Sequence, residues 1–226
     1  MKYRKILQGT FLNRSNRFIA EVEIDGRLER VHVKNTGRCR ELLVPGCCCF
    51  LNDSGNPGRK TKYDLIAVQK GELLINMDSQ VVNTVAGEYL ESGKLFSKEA
   101  KIRREVTFGK SRFDFYIEDG SRKVFLEVKG VTLENDGVSA FPDAPTERGV
   151  KHLKELVSAL GKGYESYVLF VIQMKGVHLF TPNDVTHPAF GETLRFAAGQ
   201  GVKVLAMDCL VSPDTIEIDQ AVKVLL

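Results

Sequence analysis

The feature that most restricts the fold of this chain is a change of sequence pattern near residue 81. Before that point, short runs of alternating apolar and polar residues are separated by turn dipeptides such as Asp25-Gly26. Asp-Gly between two alternating runs is a strong signal for a tight hairpin turn. Several short strands at this spacing, without a helical period, predict a small β-barrel over residues 1–80.

Beyond residue 81, some segments follow the helical period and others form strand-like apolar runs. The predicted elements are helix 81–95, strands 113–117 and 123–131, helix 150–160, strand 167–173, helix 189–198 and strand 202–207. The run 167–173 is almost continuously apolar, which is typical of a strand covered on both faces. This alternation predicts an α/β domain with a mixed sheet over residues 81–226, so the chain as a whole is α+β.

Composition excludes several classes of protein. The formal net charge is only +3, so charge alone does not identify a polyanionic partner. No apolar run approaches the roughly 18 residues of a membrane span, and the first residues lack the apolar stretch of a signal peptide. Five cysteines, an odd number, without an export signal indicate reduced thiols. We therefore expect a cytoplasmic protein with no membrane partner.

Two carboxylates and one lysine are predicted to converge at one end of the sheet. Strict alternation places Asp114 on the strand face opposite to three apolar residues, Phe113, Phe115 and Ile117. Glu127 and Lys129 share a face of the next strand, and a hairpin between the strands brings Asp114 beside them. Two carboxylates can hold a hard divalent cation such as Mg²⁺ or Mn²⁺, and a lysine can stabilise charge on a phosphate. The alternative is a structural ion pair between Glu127 and Lys129.

The same residues resemble the motif of the PD-(D/E)-x-K nuclease superfamily. Asp114 matches its metal-binding aspartate, Glu127 its second carboxylate and Lys129 its lysine. Phe113 stands where the superfamily has proline, a residue that coordinates nothing. The resemblance implies catalytic roles for Asp114, Glu127 and Lys129, with Asp114 and Glu127 as the metal ligands.

Longer stretches resemble the bacterial and archaeal sugar fermentation stimulation protein family. They are RSNRF (14–18), VHVKNTGR (31–38), SRFD (111–114), EVKGVTL (127–133) and FPDAPTERGVKHL (141–153). These stretches are distributed over nearly the whole chain. The resemblance implies an OB-fold-like barrel in residues 1–80 and a restriction-endonuclease-like α/β domain in residues 81–226. It also implies DNA binding and a link to the regulation of sugar metabolism.

Basic residues cluster in the predicted barrel and on one later helix. The residues that we expect to contact nucleic acid are Arg14, Arg17, Asn35, Arg38, Arg59, Lys60, Lys62, Lys151 and His152. Barrels of this kind bind strands with cations for phosphates and aromatic rings for bases. The plainer explanation of each cluster is a solvated basic surface. His152 is expected to be exposed on a polar helix face unless it contacts phosphate, and Glu88 is a weaker third carboxylate.

Two functional hypotheses follow from these observations. The first is a DNA-binding protein with a Mg²⁺- or Mn²⁺-dependent endonuclease centre. The second is a DNA-binding regulator that keeps the nuclease-like domain only as a scaffold, because a fold does not guarantee an activity. RNA is a second candidate partner, since OB barrels bind either polymer. A homodimer is one of the assemblies that the sequence leaves open.

Overall fold

The computed structural model describes residues 1–35 and 37–226. Its first six strands form the N-terminal barrel and are β1 (Ile6–Asn16), β2 (Ile19–Ile24), β3 (Arg27–Val33), β4 (Cys48–Asp53), β5 (Tyr63–Lys70) and β6 (Leu73–Asn76). They pair in the order β3-β2-β1-β4-β5-β6, and a further pairing of β3 with β5 closes the first five strands into a barrel. The prediction of an OB-like barrel is therefore confirmed.

Local turn chemistry accounts for the barrel hairpins. Asp25 and Gly26 both have positive φ, 48° and 73°, as the mirror-image turns between antiparallel strands require. They join β2 to β3, whose register runs from Ile24 opposite Arg27 to Ile19 opposite His32. The dipeptide identified in the sequence is thus the turn that sets this register.

The rest of the chain contains ten strands and three helices within the described residues. The helices are α1 (Val82–Glu91), α2 (Glu147–Leu160) and α3 (Pro188–Gly199). The strands are β7 (Lys101–Phe108), β8 (Ser111–Asp119), β9 (Arg122–Val131), β10 (Leu133–Asn135), β11 (Val138–Phe141), β12 (Glu165–Ile172), β13 (Leu179–Pro182), β14 (Lys203–Val211), β15 (Ile216–Ala221) and β16 (Lys223–Val224).

A six-stranded mixed sheet organises this second part. Its order is β15-β14-β12-β9-β8-β7. The strands β9, β12 and β14 are parallel to one another. The pairs β14–β15, β8–β9 and β7–β8 are antiparallel. A smaller sheet contains β10, β11, β13 and β16. Sequence analysis anticipated the three helices and the strands β8, β9, β12 and β14, so the mixed α/β architecture is confirmed. It missed β7, β15 and the shorter strands β10, β11, β13 and β16.

Two hydrophobic clusters cover the two faces of the large sheet. One includes Val82, Val85 and Leu90 of α1, and the other includes Leu153 and Leu156 of α2. Both helices follow the amphipathic period, which places their apolar stripes against the sheet. The sheet that contains β8 and β9, the strands with the predicted acidic residues, therefore has α1 on one face and α2 on the other.

The ends of α2 are set by short-range signals. The side chain of Thr146 accepts a hydrogen bond from the main-chain N–H of Gly149 at 3.1 Å, and Gly161 follows the last turn. This cap orients the helix over β8 and β9. No helix formed by the described residues is long and apolar enough to cross a membrane.

Candidate functional site

The main-chain pairing of β8 with β9 runs from Asp119 opposite Arg122 to Phe115 opposite Leu126. Asp114 lies just beyond the last pair. The Oδ2 atom of Asp114 accepts a hydrogen bond from the main-chain N–H of Val128 at 2.8 Å. Its Oδ1 atom accepts from the side-chain amide of Asn83 in α1 at 2.7 Å. The carboxylate therefore replaces a main-chain carbonyl in the ladder and ties β9 to α1.

The strand β8 does not alternate in the way that the sequence suggested. Phe115 and Ile117 pack in the cluster on the α1 side, whereas Phe113 packs with Phe125 in the cluster on the α2 side. The expectation that Phe113, Phe115 and Ile117 share one face is wrong. The reason is the irregularity at Asp114, because its side chain pairs with β9 where the main chain would otherwise continue the ladder.

Glu127 is the most deeply buried charged group of the predicted set, with 3% of its surface exposed. Its Oε1 atom accepts a hydrogen bond from Lys129 Nζ at 2.5 Å and a second, short one from the ring of His152. Its Oε2 atom is buried and has no hydrogen-bond partner among the described residues. Buried polar atoms are almost always paired, so this oxygen stands out.

His152 is buried, with 5% of its surface exposed, so the expectation of an exposed histidine is wrong. The histidine belongs to the buried face of α2, with Val150, Leu153 and Leu156, and its ring contacts Glu127 on the sheet. Arg148 Nε donates to His152 Nε2 at 3.4 Å. Because an arginine can only donate, this contact leaves the ring proton on Nδ1, where it is donated to Glu127. Phosphate contact by His152 stays a prediction.

The two carboxylates are perturbed in opposite directions. Burial and the nearby negative charge of Glu127 raise the pKa of Asp114 above its usual value. Burial by itself would also raise the pKa of Glu127, but the hydrogen bond from His152 and the positive charge of Lys129 outweigh it and lower that pKa. Glu127 is therefore held as a carboxylate, and Asp114 is the group that a further positive charge would relieve.

The described residues contain no group of three or more His, Cys, Asp or Glu side chains arranged to hold a metal ion. Glu88 lies away from the acidic residues, since its carboxylate pairs with the N-terminal amine of Met1 at 2.6 Å. In place of a third carboxylate, α1 presents Asn83 to Asp114. Sequence analysis missed Asn83; its only local signal is an amide side chain in the first turn of α1.

The side chain of Arg14 is hydrogen-bonded to the main chain of the barrel. Its guanidinium donates hydrogen bonds to four main-chain carbonyls, those of Arg17 at 2.6 Å, Asn35 at 2.8 Å, Gly37 at 2.9 Å and Arg38 at 2.8 Å. The side chain of Asn35 is buried and accepts from the N–H of Gly37. Arg14 thus links Asn35, Gly37 and Arg38 with the β1–β2 turn.

Three of the predicted basic residues surround one cavity. The cavity has a volume of about 350 Å³ and is lined by Arg14, Asn16, Arg17, Gly37, Arg38, Arg40 and Leu43. We call it the arginine cavity. Arg17, Arg38 and Arg40 are exposed there and form no ion pair with any residue that the structure describes.

The remaining predicted basic residues lie outside this cavity. Arg59 forms an ion pair with the buried Asp64 at 2.6 Å, so its charge is largely compensated. Lys60 and Lys62 are exposed on the segment between β4 and β5, where Lys62 lies over the ring of Tyr63. On α2, Lys151 donates to the carbonyl of Lys110 at 2.6 Å. The structure therefore groups Arg14, Arg17 and Arg38 and separates them from the other cations.

Comparison with known proteins matches both parts of the chain. Residues 12–77 match the family model described as "SfsA N-terminal OB domain", and residues 80–215 match "Sugar fermentation stimulation protein RE domain". A sugar fermentation stimulation protein homolog from Desulfitobacterium hafniense is 62% identical over 226 residues, covering 100% of this chain and 99% of the relative. A homolog from Clostridium beijerinckii is 55% identical, covering 100% of both chains.

One solved structure is similar over the full length. It is described as the structure of Pyrococcus furiosus SfsA in complex with Ca²⁺. The TM-score is 0.86 at 27% sequence identity, and the match covers 100% of this chain and 98% of the other. The order of the two parts, a barrel followed by a mixed sheet with helices, is therefore shared with a solved protein.

Proposed function

This chain belongs to the sugar fermentation stimulation protein family, and we propose that it binds DNA and carries a divalent-metal-dependent endonuclease centre. The observation that carries the proposal is the unpartnered, buried Oε2 atom of Glu127 beside the carboxylate of Asp114. Lys129 lies next to both carboxylates. Buried carboxylates with spare oxygens and a neighbouring lysine suit the hydrolysis of a phosphodiester.

The acidic residues fit a hard divalent cation. A buried carboxylate oxygen without a hydrogen bond is costly, and a cation bound by oxygen ligands would satisfy it. The same cation would offset the repulsion that raises the pKa of Asp114. Asp114 and Glu127 are the residues that would hold Mg²⁺ or Mn²⁺. When bound, such an ion polarises a phosphoryl oxygen and makes water a better nucleophile.

The protein side chains have separable roles in this proposal. His152 and Lys129 both bond Oε1 of Glu127, which fixes the carboxylate and leaves Oε2 available. The ammonium group of Lys129, which is partly exposed, can stabilise negative charge on a phosphate. Asn83 bonds Asp114 and positions it. We therefore assign Asp114, Glu127 and Lys129 to catalysis, and His152 and Asn83 to positioning.

The related Pyrococcus furiosus structure supports a divalent cation, because its description names a complex with Ca²⁺. Calcium and magnesium ions both prefer oxygen ligands, although they differ in size and coordination. DNA is the proposed polymer and RNA the second candidate. The name of the family connects its members with sugar fermentation, and a role in regulating sugar metabolism is part of the proposal.

A non-catalytic regulator is the second candidate, and two observations favour it. The described residues supply no cluster of three or more metal-binding side chains, and Lys129 already forms an ion pair with Glu127. Two carboxylates and a lysine whose charges partly offset one another could serve stability alone. In that case the nuclease-like part would be a scaffold for the barrel and for nucleic-acid binding.

The decisive experiment compares cleavage by the wild type and by Asp114→Asn. Labelled single- and double-stranded DNA and RNA are incubated with Mg²⁺, with Mn²⁺ and with EDTA. Asp114→Asn keeps the side-chain shape but loses the charge that holds the cation, so metal-dependent cleavage should disappear while binding in EDTA persists. Asp119→Asn, the same change at the other end of β8, is the matched control and should cleave normally.

Metal binding supplies a second measurement that does not depend on turnover. Calorimetric titration with Mn²⁺ should show lost affinity for Asp114→Asn and a largely preserved affinity for Lys129→Ala, which should nevertheless cleave much more slowly. If the wild type cleaves none of the four substrates with either metal, the regulator is the correct function. Undiminished cleavage by Asp114→Asn would show that the centre lies elsewhere.

A further inference from the structure

The arginine cavity combines positive charge with an absence of acidic lining residues. Its lining includes four arginines and no carboxylate. Asp143 lines the neighbouring cavity and packs so closely on Gly37 that a Cβ atom at that glycine would lie 2.1 Å from the Asp143 carboxylate. The negative charge is thus outside the arginine cavity. Arginine forks match phosphate oxygens in geometry and charge, so a phosphate is the ligand that this cavity suits.

Hydrogen bonds from Arg14 link two walls of the cavity. Arg14 joins the β1–β2 turn to the segment after β3 through its four carbonyl contacts. Those contacts use four of its five N–H donors, and the fifth, on Nε, is buried without a partner among the described residues. Arg14 is therefore a scaffold, and the cations free to meet a phosphate are Arg17, Arg38 and Arg40. Walls that are linked by hydrogen bonds lose less entropy when a ligand binds.

An exposed aromatic ring stands beside this cavity. Arg17 and Phe18 form the turn between the paired residues Asn16 and Ile19, and Phe18 is 50% exposed. The side chain of Asn16 accepts hydrogen bonds from the N–H groups of Phe18 and Ile19, which holds the turn in place. A cation next to an exposed ring is the combination with which proteins bind unpaired strands, because any unstacked base can lie on the ring.

The cavity wall is also bonded to the segment that leads to the acidic residues. Both the N–H and the hydroxyl of Ser79 donate to the carbonyl of Lys34, directly before the wall segment that begins at Asn35. Ser79 precedes α1, whose Asn83 bonds Asp114. A chain of hydrogen bonds through Ser79 and α1 therefore connects the cavity wall with the proposed catalytic centre.

We propose that the arginine cavity binds a backbone phosphate of single-stranded nucleic acid and that Phe18 stacks on the adjacent base. The inference rests on the nucleic-acid binding proposed above and adds to it a strandedness and a location. Duplex bases are already stacked on one another, so they cannot use Phe18. The protein is therefore a single-strand binder that recognises one phosphate and one base at the β1–β2 turn.

The test measures binding in EDTA, so it does not depend on cleavage. Fluorescence anisotropy is recorded with a labelled 12-mer of thymidylate, the corresponding uridylate 12-mer and a 12-base-pair DNA duplex at several salt concentrations. The wild type should bind the single strands more tightly than the duplex. Phe18→Ala should weaken single-strand binding by roughly 5- to 150-fold, the range for one stacked base, without changing the salt slope.

The arginine variants should behave differently from the aromatic one. Arg17→Ala and Arg38→Ala should each weaken binding, and together they should reduce the slope of log K against log salt by about 0.7 per lost phosphate contact. The matched controls are Arg27→Ala and Leu28→Ala, at exposed residues where the β2–β3 turn enters β3, the opposite end of β2 from Phe18. Both controls should bind as the wild type does, and Phe18→Tyr should restore binding because it keeps the ring.

Each outcome decides a separate point. If Phe18→Ala binds like Leu28→Ala, or if the arginine variants keep the wild-type salt slope, the cavity is not the binding site and this inference is wrong. Binding of the duplex as tightly as the single strand overturns it as well. If the wild type binds no oligonucleotide at all, the proposed function fails instead. A Phe18 effect on only one of the two single strands would identify DNA or RNA as the polymer.

Discussion

Arg14 offers the sharpest test of how this fold is held together, because one side chain satisfies four carbonyls from two segments. Two of those bonds, to Asn35 and Gly37, are partly buried, and the other two are exposed. Hydrogen bonds to charged groups contribute roughly 1.5–3 kcal/mol each. Water can replace the exposed pair, so the two partly buried bonds set the loss for Arg14→Ala at about 3–6 kcal/mol.

Such a loss is a large share of a typical total stability of roughly 5–15 kcal/mol. The assay is urea unfolding followed by far-UV circular dichroism, since the chain contains no tryptophan. Arg14→Lys should recover little of the loss, because a compact ammonium group cannot reproduce the planar fork. Arg17→Ala is the control and should stay within about 0.5 kcal/mol of the wild type, as exposed substitutions usually do.

The reasoning is refuted if Arg14→Ala unfolds within about 0.5 kcal/mol of the wild type, the scatter expected for an ordinary surface substitution. Such a result would mean that water replaces all four contacts, and Arg14 would then be as free to bind phosphate as Arg17. Loss of both stability and oligonucleotide binding in Arg14→Ala, with loss of binding alone in Arg17→Ala, is the expected pattern.

Three further measurements test other parts of the structure. The hydrogen bond from Arg122 lowers the pKa of Glu165 from 4.5 to about 2, so this stabilisation is present above pH 4.5 and is lost as the pH falls towards 2. Because the Glu165 side chain is 33% exposed, Glu165→Gln should lose only about 1 kcal/mol at pH 7 and nothing near pH 2; an equal loss at both pH values would contradict this. Gly130→Ala would place its Cβ 2.9 Å from Val82 of α1, so calorimetry should show a loss of about 1–3 kcal/mol, and an unchanged Tm would show that α1 can shift freely. Phe170→Ala, at a fully buried position of β12, should lose about 3–5 kcal/mol in urea, and a loss below 1 kcal/mol would mean that the core refills the cavity.

The helices and the main hairpin turns follow from local sequence. The apolar stripe from Val150 to Leu160 predicts α2, which begins three residues earlier in the structure, at Glu147, and Asp25-Gly26 predicts the β2–β3 turn. These signals act over a few residues, so they are the same in any tertiary context. The strands β10, β11, β13 and β16 were missed because each contains only two to four residues, too few to show an alternation.

The acidic site could also be predicted only in part from local sequence. The sequence indicated that Asp114, Glu127 and Lys129 lie on paired strands, since strand alternation and the hairpin are local properties. It could not indicate that Asp114 interrupts the strand, because that depends on the N–H of Val128 being free to bond a side chain. The resulting change of face between Phe113 and Phe115 is likewise set by packing against α1 and α2.

By itself, the sequence determined the two-part organisation, the approximate positions of the three helices, the turn that sets the β2–β3 register and the placement of Asp114, Glu127 and Lys129 on neighbouring strands. Only the tertiary structure decided which charges are used internally. His152 is buried because α2 crosses β9 at Glu127, and Arg14 is committed to carbonyls that lie 3 to 24 residues away along the chain. The physical reason is that a charged side chain is solvated by whatever polar group the fold brings nearest, and that neighbour is fixed by chain topology rather than by adjacent residues.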